Sequence, residues 1–223
     1  MNALTQAIEA AEAAYTVDLV DTPDLLREAY ALRYQVYCRE RDFEQSDTGL
    51  ETDEFDGHAP HVVLRRRDDG MVIGTARLVL PHVGHRALPV SRLCAPRLMR
   101  HLPAGTGEVS RFAISKERRG MSTGATALTR LALVQGLVRL SAAHGITHWC
   151  AVMEPSLLRL LRASAIHFDA MGPLVEHHGT RQPCSIAIDA MIGRMAHEIP
   201  ALCQYITGDG WHWSVPAPMP LVA

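Results

Sequence analysis

Charged residues stand inside sequence that otherwise reads as buried strand. Arg77 lies in VIGTARLVL and Glu108 and Arg111 lie in GEVSRFAIS, while Asp53 and Asp56 precede them in ETDEFDGH. A strand packed on a core keeps charge off its buried face. A buried carboxylate or guanidinium without a partner is costly, so such groups persist in pairs or networks. Two acids, an Arg, and an acid with a second Arg on three successive segments therefore point to one polar cluster assembled across a sheet. Spacing adds a constraint. Glu108 and Arg111 are three apart, and in a regular strand they face opposite sides. Both can serve one site only if the strand carries a β-bulge near Val109–Ala113. Such a bulge frees backbone N–H groups of Phe112, Ala113 or Ile114 to face a ligand, as an oxyanion hole for acyl transfer requires. A plainer alternative leaves Glu108 in solvent at the strand entrance, Arg111 paired locally, Arg77 snorkelled at an edge and the acidic loop solvated.

The elements around these residues follow from local signals. TPDLLREAYALRYQVYCRE predicts an amphipathic helix, with Thr22 as N-cap and Pro23 at its first position. Residues from about 39 to 57 are polar and acidic and read as an ordered loop. HVVLRRRDDGMVIGTARLVLP predicts a hairpin, because two β-branched runs flank an Asp-Gly turn. A Pro- and Gly-punctuated excursion leads to GEVSRFAIS, and the longest helix follows, stopped by Gly145. ITHWCAVM reads as a buried strand, EPSLLRLLRASAI as a helix, FDAMGPLVEHHGTRQPCSIAID as one or two strands, and IGRMAHEIPALCQYI as a last helix. This order predicts an α/β protein with a mixed sheet and helices on its faces. The expected domain is 21–208, with an extension over 1–20 and a Trp/Pro-rich tail over 209–223. Trp211 and Trp213 in that tail are candidates to cover an apolar ligand tunnel, to pack within the tail or to make a homodimer contact.

Bulk properties narrow the classes. A chain of 223 residues, 48% apolar, fits one domain, and a net charge of −2 argues against a general nucleic-acid binder. Five scattered Cys without CxxC spacing predict free thiols in a reducing cytoplasm, and Cys150 reads as an inert core thiol. The first twenty residues lack a signal peptide's basic and apolar regions, and no apolar run reaches the roughly 18 residues of a membrane segment. Twelve His include no HExxH or comparable ligand set, so no metal is expected.

LRYQVYCRE, ETDEFDGH, GTARLVLP and EVSRFAIS, in that order, resemble the N-terminal signature of acyl-homoserine-lactone synthases. GPLVEHHGTRQPC departs from it and is similar to N-acyl-amino-acid synthases and exosortase-associated (PEP-CTERM) acyltransferases. The resemblance implies a GNAT-type acyltransferase fold, with a twisted central sheet that contains a bulged strand. It implies transfer of a long-chain fatty acyl group from acyl carrier protein to the amine of an amino acid or similar small acceptor. Arg33, Asp53, Asp56, Arg77, Glu108 and Arg111 match the family's electrostatic cluster, which orders the active site and the acceptor. Glu108 matches the carboxylate that assists amine deprotonation. The lactone-forming step is not implied, since the C-terminal half does not match the lactone makers.

The chemistry of acyl transfer fits these residue types, with a carboxylate to take the amine proton and Arg forks to grip an acceptor carboxylate. No nucleophilic triad is evident, so the amine attacks directly. KERRGMSTGATA stands where coenzyme-A-dependent GNAT enzymes carry their pyrophosphate loop, but its glycines are four apart. Gly120 and Gly124 are instead candidates for the phosphate of a phosphopantetheine arm, and Lys116, Arg118 and Arg119 offer positive charge to an acidic carrier protein. No bound cofactor is expected. The rivals are a coenzyme-A-dependent N-acetyltransferase and a non-catalytic accessory module of an exosortase locus.

Overall fold

The computed structural model describes residues 3–81, 88–116 and 123–208. Helix α1 (Ala3–Ala14) leads into β1 (Tyr15–Leu19), then α2 (Pro23–Tyr34), the hairpin β2 (His61–Arg66) and β3 (Val72–Val79), and a short helix α3 (Pro96–Met99). Strand β4 (Thr106–Ile114), the long helix α4 (Thr123–Ala143), β5 (His148–Met153) and α5 (Pro155–Arg162) follow. The chain ends in β6 (Asp169–Ala170), β7 (Val175–Glu176), β8 (Thr180–Ala187), α6 (Ile188–Glu198) and α7 (Pro200–Thr207).

The strands form a mixed sheet in the order β1-β2-β3-β4-β5-β8-β6, with β7 paired to β8. Every pairing is antiparallel except β4 with β5. A parallel pair needs a long crossover, and α4 supplies it. Residues 3–19, in the segment expected to be an extension, instead contribute a helix and the edge strand of this sheet, with Tyr15–Leu19 paired to β2. Only five strand residues follow an Ala-rich helix there, too short a run for alternation to stand out.

Thr22 caps α2 as expected, its hydroxyl accepting the Leu25 N–H at 3.3 Å, with Pro23 in the first turn. The helix then widens into a π-helical turn over Gln35–Glu40 instead of continuing regularly. Ala29 and Leu32 of α2 pack on Val63 and Val72, one face of the sheet. On the other face α4 packs Leu133 and Leu137 against Val62, Leu64, Ala76 and Leu78. The α4 backbone lies close to the sheet at Gly136, where a Cβ would come within 2.7 Å of Val17 and 2.8 Å of Val62. The single C-terminal helix expected is two, broken at Ile199 because Pro200 cannot continue a helix. Trp211, Trp213 and the rest of the tail lie outside the described residues.

Candidate active site

Strands β4 and β5 pair only from Thr106↔His148 to Glu108↔Cys150. Beyond that point β4 stays with β3 and β5 with β8, so the sheet opens between them. A cleft of about 830 Å³ fills the opening, lined by Val109–Ile114 on one side and Val152–Glu154 on the other.

At the opening β4 is bulged. Thr75 pairs with Ala113 and Arg77 with Ser110, so Arg111 and Phe112 together oppose the single residue Ala76. Arg111 sits at φ +50°, a left-handed conformation that a regular strand never uses. This is the irregularity that the Glu108–Arg111 spacing requires, and it turns both side chains toward the cleft.

Three guanidiniums meet three carboxylates beside it. Arg33 donates to Glu51 Oε2 at 2.5 Å and to both oxygens of Asp56 at 2.6 and 3.1 Å. Arg77 grips Asp53 through both oxygens at 2.6 and 2.7 Å, reaches Asp56 at 2.5 Å, and donates its Nε–H to Ser110 at 2.9 Å. Arg111 Nη2 lies 2.8 Å from Glu51 and 3.1 Å from Asp53. Bidentate Arg–carboxylate pairs are the strong, geometrically specific kind. Asp53 and Asp56 are further fixed by their own loop, since Asp56 accepts the Asp53 N–H at 2.8 Å and Asp53 accepts the Phe55 N–H at 2.9 Å. Arg77 is 1% exposed and Arg33 wholly buried, so neither is a snorkelled edge residue.

The cluster's charges balance, and its protonation states follow. Burial alone would raise the Asp56 carboxyl, but hydrogen bonds from His61 and Arg33 and the charges of Arg33 and Arg77 hold it well below its usual range. Asp53 is lowered against its own burial chiefly by Arg77. Burial drives His61 down, so it stays neutral while it faces Asp56.

Glu108 is a different case. It is 3% exposed, and its Oε2 accepts the Val90 N–H at 2.7 Å. Burial raises it to about 8, and the Val90 hydrogen bond and the Arg77 charge only partly oppose that. The strand-entrance alternative therefore does not hold. Its β5 neighbour Cys150 is fully buried with a thiol raised strongly by burial, the opposite of an activated nucleophile.

Two members of the cluster escaped the sequence reading. Glu51 bridges Arg33 and Arg111 yet looks like one more acid in a polar loop, and His61 looks like the start of a strand. Of the residues expected to meet the carrier arm, Lys116 lines the cleft, its backbone N–H bonded to Glu40 at 3.0 Å. Gly124 falls in the first turn of α4. Arg118, Arg119 and Gly120 lie outside the described residues.

Residues 32–129 match the model of the acetyltransferase (GNAT) domain. An acyl-homoserine-lactone synthase of Vibrio anguillarum is 25% identical over 154 residues, covering 66% of this chain and 76% of that protein. The coenzyme-A-dependent acyl-homoserine lactone synthase BjaI, solved with SAM and isopentyl-CoA, superimposes with a TM-score of 0.62 at 18% identity, over 86% of this chain and 98% of that one. The N-acyl amino acid synthase FeeM, from uncultured soil microbes, gives a TM-score of 0.60 at 16% identity, over 81% of this chain and 94% of that one. The fold is that of the GNAT acyltransferases, and the matches are to enzymes of that class. Within that class the chain is similar to the acyl-homoserine-lactone synthases and to an N-acyl amino acid synthase. No described helix is long and apolar enough to cross a membrane.

Proposed function

We propose that the chain moves a long-chain fatty acyl group from an acyl-carrier-protein thioester to the amine of an amino acid or similar small acceptor, by direct attack. One observation carries this reading: the sheet opens at a bulge that brings Arg111 and the buried Glu108 onto one cleft. The thioester lies in the opening with its carbonyl at the bulge. Its tail runs over Phe112, Ile114, Val152, Met153, Leu157 and Leu160, all of which line the cleft. Lys116, Arg118 and Arg119 meet the acidic carrier, with Gly120 and Gly124 near its phosphate.

In its carboxylate form Glu108 takes the amine proton while the C–N bond forms. A group titrating near 8 is matched to that task close to neutral pH. The carbonyl oxygen becomes an oxyanion held by backbone N–H groups of Phe112 and Ala113. Its collapse breaks the C–S bond, and the thiolate leaves as the thiol with the proton that Glu108 carried. Arg33, Asp53, Asp56 and Arg77 hold the acceptor side of the cleft in shape. Lactone formation is not part of the reading.

The test compares acyl carrier protein and coenzyme A donors of equal chain length, with an amino-acid mixture as acceptor and mass spectrometry of the products. N-acyl amino acids formed faster from long-chain acyl carrier protein are expected. Preference for short acyl-coenzyme A would replace the donor, and a lack of any acylated amine with either donor would overturn acyl transfer.

A further inference from the structure

One carboxylate at the cleft stands apart from the saturated cluster. Glu44 Oε1 lies 3.7 Å from Arg111 Nη2 and 3.5 Å from His178 Nε2, while Glu51 approaches the same Arg111 nitrogen to 2.8 Å. Both Glu44 contacts exceed hydrogen-bond length, so Glu44 is held by charge and little else. Glu44, Arg111 and His178 all line the cleft.

His178 occupies an uncommon backbone position. It sits in the turn between β7 and β8 at φ +50°, followed by Gly179 at φ +93°. Few non-glycine residues take up that region, and His, with Asn and Asp, is among those that do so most readily. The turn places its ring on Phe43, with centroids 5.1 Å apart and planes 20° from parallel. Asp42, immediately before Phe43, is also left-handed at φ +53°. Arg41 and Arg181 flank the Phe43 ring at 5.5 and 5.9 Å and are joined through Glu154 at 2.8 and 3.3 Å. Left-handed backbone thus flanks one contact on both sides, and that contact holds an imidazole against the cleft.

We propose that Arg111 and His178 form the seat for the acceptor's own carboxylate, and that Glu44 occupies it until the acceptor arrives. This rests on the acyl-transfer reading above for its consequence, though the seat is a binding site in its own right. The guanidinium charge of Arg111 and the imidazole of His178 face one oxygen at 3.7 and 3.5 Å, an arrangement that attracts a carboxylate, and the resident occupant is a carboxylate. An α-amino acid seated there carries its amine two bonds away, at the bulge that presents the acyl carbonyl. Amines or amides without the negative charge leave Glu44 in place and are rejected.

Two readings of one experiment test this. His178 is assigned among the imidazole resonances by comparison with His178→Asn, a change that tolerates the left-handed turn. Acetate, used as the bare carboxylate probe, should shift that resonance in Glu44→Gln protein and need about tenfold more acetate in the wild type. A His178 signal that acetate moves in neither protein overturns the seat. In the kinetic arm the wild type should prefer amino acids over their carboxamides by roughly 10–100-fold, the range of a hydrogen bond to a charged group. His178→Asn should raise the acceptor KM about tenfold without changing the donor KM. Equal use of acid and carboxamide, or a donor KM that moves instead, removes the seat and leaves acyl transfer standing. Acetate binding in a protein that acylates no amine supports the seat and removes the acyl-transfer reading.

Discussion

Two buried acidic environments lie side by side on this sheet and behave in opposite ways. Asp53, Asp56 and Glu51 meet Arg33, Arg77 and Arg111 in a cluster whose charges cancel, and the carboxyls of Asp53 and Asp56 are held below their usual range. Glu108 is as deeply buried but has no guanidinium within hydrogen-bond reach among the contacts described, only the Val90 N–H, and burial lifts it to about 8. The lesson is that burial raises a carboxyl unless charged partners override it. A fully paired cluster is a scaffold with little freedom to exchange protons. A dry, singly bonded carboxyl is poised to exchange one.

The largest expected effect is on the scaffold. Arg77→Ala takes from Asp53 its bidentate partner and leaves Asp56 with Arg33 as its one guanidinium, and breaking a buried pair costs about 3–5 kcal/mol. Chemical denaturation should show that loss, and a variant as stable as wild type would mean that the cluster is not an energetic unit. Next comes Glu108→Gln, expected to lower turnover on the order of 10²-fold while the fold survives. Here a melt and an assay on the same sample separate the two regions, because the variant that loses stability and the variant that loses rate should differ.

Stability against pH sharpens the contrast further. Glu108 titrates higher when folded than when unfolded, so its contribution is full below its unfolded value of 4.5 and is lost as pH rises toward about 8. Glu108→Gln should therefore gain on the wild type by several degrees of Tm between pH 5 and 8.5. Asp56 runs the other way: its stabilisation is present above the unfolded 3.8 and is lost as pH falls below that value. Parallel pH trends in the wild type and Glu108→Gln would contradict the assignment. The smallest effect is expected at the cluster's wetter edge. Asp53 is 22% exposed at its side chain against 7% for Asp56, so Asp53→Asn should cost less than Asp56→Asn, on the order of 1 kcal/mol.

Much of this was readable in the residues. The Asp-Gly turn, the Thr22–Pro23 start and the odd spacing of Glu108 and Arg111 each encode local geometry, and a bulge is the cheapest way to reconcile that spacing with a single site. The long-range partners were not readable. Val90 lies 18 residues from Glu108 in an irregular stretch, and a backbone N–H carries no side-chain signature. Glu51 sits 18 residues from Arg33 and 60 from Arg111 and looks like any loop acid until the fold closes. The π-helical turn over Gln35–Glu40 continues the same amphipathic run as α2, and no residue in it marks the change.

The most direct measurement is the pH dependence of kcat for long-chain acyl transfer in the wild type and in Glu108→Gln, with the same donor and acceptor. A carboxylate base predicts a wild-type rate that rises with pH through an apparent value near 8, and a low rate in the variant without that limb. A wild-type limb that persists unchanged in Glu108→Gln would show that the titrating group is elsewhere and would contradict the account.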